Sequence, residues 1–139
     1  MKKILIILML CFSANSYAKK CEGYLVDQIC FDIKFEKLNR KEDSKFSLKI
    51  SENDSGKVQA VDDLKVKLWM VMKNGHEHGS DPVKIENKNQ VYQVSNVWFL
   101  MLGQWQLKIS GKMGKKSFDV SVPVCVSKNP EINGVGECK

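Results

Sequence analysis

Apolar and polar residues alternate with period two along most of the chain after its first twenty positions, the pattern of a half-buried strand. Ile29, Phe31, Ile33 and Phe35 share one face, with Cys30, Asp32 and Lys34 on the other. Asn39–Lys45 reads as a turn; Phe46, Leu48 and Ile50 alternate again until SENDSG stops them. Val58–Val61 suggests a short strand. The longest alternation is Leu64–Met72, with Leu64, Val66, Leu68, Met70 and Met72 on the core face and Trp69 opposite. Asn74-Gly75 ends it, and His76–Pro82 reads as loop because Gly79, Ser80, Asp81 and Pro82 break a ladder.

Val83 and Ile85 open a further short strand, and Gln90–Val94 and Asn96–Leu102 two more. The second of these is apolar on both faces, which puts Trp98 in the interior. Trp105, Leu107 and Ile109 resume after Gly103, with Trp105 as a core pillar, and Gly111–Lys115 turns. Phe118, Val120, Val122, Val124 and Val126 make the last strand, where Pro123 requires an edge or a bulge. No later window has a helical period. Seven to eight short strands at near-regular spacing predict an all-β fold, an antiparallel two-sheet sandwich.

The first residues follow other rules. Lys2 and Lys3 precede a short apolar run, Ile4–Phe12, and Ser16 and Ala18 are small. This is the pattern of a signal peptide, residues 1–18, cut near Ala18. The run is shorter than the roughly 20 residues a spanning helix needs, so no stable membrane anchor is expected. Cys11 follows Leu10 and Cys21 follows Lys20, where lipidation would want a small residue. The expected product is periplasmic or secreted: one sandwich domain, residues 19–139, with cysteine-bearing tails.

Net charge is +6, falling to +4 without Lys2 and Lys3, and Arg40 is the only arginine. Lysines spread over polar strand positions do not make the arginine-rich stripe of a nucleic-acid groove. Beyond the leader remain Cys21, Cys30, Cys125 and Cys138, without the close spacing of a zinc knuckle or redox pair. An even count in an exported chain points to disulfides. Nested long-range pairs would constrain the unfolded chain more. The local pattern, Cys21–Cys30 with Cys125–Cys138, is expected instead, because each tail has a cysteine at its far end and no core residue to hold it.

The candidate chemistry lies between Leu64 and Ile109. Nucleophile elbow, phosphate-binding glycine loop and H-E-x-x-H are all missing. His76 and His78 are the only histidines, one residue apart, so on extended backbone their imidazoles point the same way. Met70 and Met72 lead into them, and Met101 follows on a later segment. Taken singly, Met70 and Met101 read as core filler. Taken together, imidazole and thioether form a soft donor set suited to copper.

The stretches MVMKNGHEHGSDPVKI and YQVSNVWFLMLGQWQLKI also resemble the YtkA-like/FixH-like family of exported or membrane-tethered bacterial domains. In that family a Met-rich strand runs into a Gly-His-Gly-His-like loop, and a later segment carries Met-Pro-Gly-x-Trp. Met70, Met72, Gly75, His76, His78 and Gly79 match the first part; Met101, Gly103 and Trp105 match the second. Leu102 stands in place of the proline, and Glu77 lies between the histidines where glycine is common. The resemblance covers residues 66–110. It implies an immunoglobulin-like sandwich and copper handling or respiratory-oxidase assembly in the cell envelope, with a partner from that machinery. The alternative is a protein-binding or assembly sandwich with no metal site, using exposed Trp69, Val71 and Trp98 and an uncovered edge strand.

Overall fold

The computed structural model describes residues 20–40 and 42–139; the expected leader and its cleavage site lie outside them. The strands are β1 (Tyr24–Val26), β2 (Ile29–Lys37), β3 (Ser44–Glu52), β4 (Asp62–Val71), β5 (Glu77–Gly79), β6 (Lys84–Lys88), β7 (Val91–Val97), β8 (Gly103–Met113), β9 (Lys116–Val126) and β10 (Gly134–Val135). They form two antiparallel five-stranded sheets, in the orders β1-β2-β3-β7-β6 and β10-β9-β8-β4-β5. A single turn of 3-10 helix, Pro130–Ile132, precedes β10.

The sheets face each other across the side chains whose alternation predicted them. Phe31, Phe46, Leu48, Ile50 and Val94 from one meet Leu68, Trp105, Leu107, Ile109 and Val122 from the other, all buried. Burying each such side chain is worth about 1.5–3 kcal/mol relative to exposure. Trp105 is the expected pillar: it is 0% exposed, its indole N–H donates to the Met101 carbonyl at 3.0 Å, and Phe99 meets it edge-on at 5.3 Å. Phe31 of β2 packs on Phe118 of β9, and Ile85 of β6 shares a groove with β4. The sheets are therefore aligned flank to flank.

Six sequence expectations need correction. The strand count is ten, since β1, β5 and β10 are edge pieces of two or three residues whose length carries no readable period. His76–Pro82 is not wholly loop: Glu77–Gly79 pairs with β4. Val58–Val61 forms no strand, only a bridge from Val58 to Ser51, and Tyr92 Oη accepts the Val61 N–H at 2.8 Å in place of a ladder partner. Asn96–Leu102 is not a separate strand either: Asn96 and Val97 end β7, and beyond them Phe99 makes only a bridge to Arg40. Asn96 takes φ +57 and is the extra residue of a bulge against β3, so the parity inverts there. Phe99 consequently takes the core position, and Trp98, expected inside, is half-buried with its indole N–H on Asn96 Oδ1 at 2.8 Å. Gly111–Lys115 is a turn only at its end, because β8 continues to Met113.

Both cysteine pairs follow the local pattern, Cys21–Cys30 and Cys125–Cys138, with Cα atoms 5.6 and 4.9 Å apart. Pro123 is tolerated because β9 is bordered beyond it only by two-residue β10, where the Gly136 N–H reaches the Pro123 carbonyl at 2.8 Å.

Candidate metal-binding hairpin

β4 does not stop at Val71. It turns back on itself and returns as β5. The Met72 N–H donates to the His76 carbonyl at 2.8 Å, and the Gly75 N–H donates to the Met72 carbonyl at 2.9 Å. Gly75 sits at φ +81, where a side chain would be strained. A three-residue loop with a left-handed glycine at its third position is a standard hairpin connection. Asn74 supports it: its Oδ1 accepts the His76 N–H at 3.1 Å.

The register then determines which side chains meet. Met70 lies opposite His78, and the Met72–His76 hydrogen bond makes these two opposite each other as well. Residues two apart on a strand share a face. Met70, Met72, His76 and His78 therefore all stand on one face of the hairpin, while Val71 and Glu77 pair on the other. Directly opposed residues have Cβ atoms about 4.5–5.5 Å apart. The result is a ladder of two thioether–imidazole pairs.

The ladder is graded in depth. Met70 is 8% exposed, and its methyl lies 2.8 Å from where a Cβ on Gly103 would stand. Met72 is half-buried, and His76 and His78 are exposed. Met101 comes from a separate loop, between β7 and β8, partly buried against the core two residues before Gly103. The hairpin register brings four of the five expected donors together; Met101 is not on the hairpin but on the β7–β8 loop, two residues before Gly103.

The donor types matter as much as the geometry. No cluster of three or more His, Cys, Asp or Glu occurs among the described residues. All four described cysteines are disulfide-bonded, so none offers a thiolate. What the hairpin presents is imidazole nitrogen and thioether sulfur, a set that fits copper better than zinc or calcium. Sequence reasoning chose these residues but missed the strand that pairs them. The available signal was Asn74-Gly75 between two extended segments, a strong hairpin cue that the downstream Gly79 and Pro82 outweighed.

On the outer face of the same hairpin, Trp69 lies across from Gly79, whose missing Cβ would sit 3.1 Å from the indole ring. Lys108 covers the other side of that ring, its Nζ 4.5 Å from the centroid.

No helix among the described residues is long and apolar enough to cross a membrane, and two disulfides fit an oxidising compartment. No curated protein and no solved structure matches the chain. The family model described as YtkA-like matches residues 26–110, from the end of β1 through most of β8, and so takes in the whole hairpin, Met101, Gly103 and Trp105. The chain belongs to the YtkA-like family.

Proposed function

We propose that this protein is an exported, non-enzymatic copper-binding accessory protein that exchanges the ion with another component of the cell envelope, in metal delivery or respiratory-oxidase assembly. The observation that carries the reading is the cross-strand pairing of Met70 with His78 and Met72 with His76 on one hairpin face. The ion is cargo. His76 and His78 would supply imidazoles at the exposed rim, and Met72, with Met70 or Met101, thioethers from the inner side. Soft sulfur and imidazole favour Cu(I), or Cu(II) with a weak thioether ligand. The exposed rim suits exchange, since a partner's ligands can reach the ion without opening the fold.

The test is a competition of the cleaved protein against a Cu(I) chelator of known affinity. His76→Ala/His78→Ala should lose at least about 3 kcal/mol of binding, a hundredfold or more. Equal affinity in wild type and double variant would refute the reading.

A further inference from the structure

The second sheet has an open edge. β8 pairs with β4 from Asp62 to Trp69, but on the other side β5 reaches back only to Trp69. The Met72 N–H points toward β5, so every second residue back along β4 points its backbone to that side. The N–H and C=O groups of Val66 and the N–H of Leu68 thus face outward beyond the last rung of β5, Trp69 with Gly79, which leaves only the Leu68 carbonyl beside Ser80. Beside this edge runs a groove of about 350 Å³ between β4 and β6, floored by Leu64, Val66, Leu68, Val83 and Ile85. At its end the Ser80 Oγ is buried without a hydrogen-bond partner.

The charges beside the groove are one-sided. Lys65 and Lys67 line it, and Lys108 lies directly opposite Lys67 on β8. Like charges opposite each other on a sheet are unfavourable. None of these three lysines is in an ion pair among the described residues. Asp81 at the lip is the only carboxylate in the lining.

We infer that the β4 edge is a docking site for an extended acidic segment of another protein, taken up by strand addition. Such a segment would bond to the outward groups of Val66 and Leu68. Its alternate side chains would then fall into two rows. One row enters the groove over Val66 and Leu68 and should be apolar. The other stands beside Lys65 and Lys67 and should be acidic. A second copy of this chain fits poorly, since antiparallel pairing of two β4 edges about Val66 or Lys67 sets lysine against lysine. The inference goes beyond copper exchange and does not depend on it.

The probe is a capped peptide alternating glutamate and valine, about six residues long, added to the disulfide-bonded protein with a copper chelator present. Amide exchange at Val66 and Leu68 should be rapid in the free protein and slow at least about tenfold on saturation. Lys65→Glu/Lys67→Glu should weaken the peptide about tenfold at low salt and reverse the preference toward a lysine–valine peptide. A peptide N-methylated at the amides that would face β4 should not bind. The inference is overturned if Val66 and Leu68 are already as protected as Lys65 and Lys67 in the free protein, or if the peptide leaves their exchange unchanged. Equal binding of the N-methylated peptide overturns it too. So does a lysine-dependent response to anionic phospholipid vesicles but not to the peptide, which would make this a membrane-facing surface.

Discussion

Gly103→Ala separates backbone strain from side-chain crowding at the point where the hairpin meets the core. Gly103 sits at φ +130, a conformation essentially reserved for glycine, and a Cβ there would meet the Met70 methyl at 2.8 Å. The backbone penalty is about 1–3 kcal/mol. The crowding is cheaper, because the thioether end can rotate away for about 0.5–1.5 kcal/mol. Together the substitution should cost about 2–4 kcal/mol, a large share of the roughly 5–15 kcal/mol that holds a domain folded. Urea unfolding followed by tryptophan fluorescence would measure it through the shift in midpoint at constant slope. The same substitution in a Met70→Ala background isolates the crowding. The coupling should be no more than about 1.5 kcal/mol, leaving most of the loss in place. A total loss below about 0.5 kcal/mol, or one wholly relieved by Met70→Ala, would refute the assignment of the cost to the backbone.

Tyr92→Phe strips the Val61 N–H of its buried acceptor and should cost about 1–3 kcal/mol in the same assay; no loss would mean that another group or water takes over the bond. Cys125→Ser/Cys138→Ser should cost about 3 kcal/mol, and non-reducing digestion should link these two segments to each other and never to the Cys21–Cys30 loop. The Lys84 ammonium, hydrogen-bonded to Glu86, holds that carboxyl below the usual glutamate range. Carbon-detected titration should show most of this depression lost in Lys84→Ala, with Lys88 left as the smaller contributor. Any stabilisation from the pair is present at neutral pH and lost as the pH falls through the depressed value.

The core strands were legible because their burial is one-sided. In Leu64–Met72 and Trp105–Ile109 every second residue is apolar, and only one register satisfies that. The tails were legible for another reason, since each cysteine had one nearby partner and no core residue competed. Reading failed where structure depends on pairing rather than period. A three-residue β5 has no periodicity to detect, and it exists only because the Asn74-Gly75 turn delivers it to the edge of β4. Asn96 defeated the parity argument for Trp98 in the same way: one left-handed residue in a bulge shifts the alternation by one, and nothing in the apolar pattern marks it. The donors at the candidate site were visible as residue types. Their opposition in two cross-strand pairs follows from a turn geometry.

Both disulfides sit on one flank of the sandwich. Phe31 lies on Phe118, and the Lys116 Nζ reaches the Asp27 carbonyl at 2.8 Å, so the β1–β2 flank stands over β9 and β10. Lys20 and Lys139, one residue outside Cys21 and Cys138, therefore leave from the side opposite β5. Attachment at Lys20 or at Lys139, to a bead, a sensor chip or a fused protein, leaves the histidine rim on the opposite edge of the sheets. The two attachment points should present the sandwich at different tilts, since Cys125 lies toward the hairpin end of β4 while Cys30 lies beside Phe31 and Phe118 at the other end, but both leave the β4–β5 edge turned away from the support.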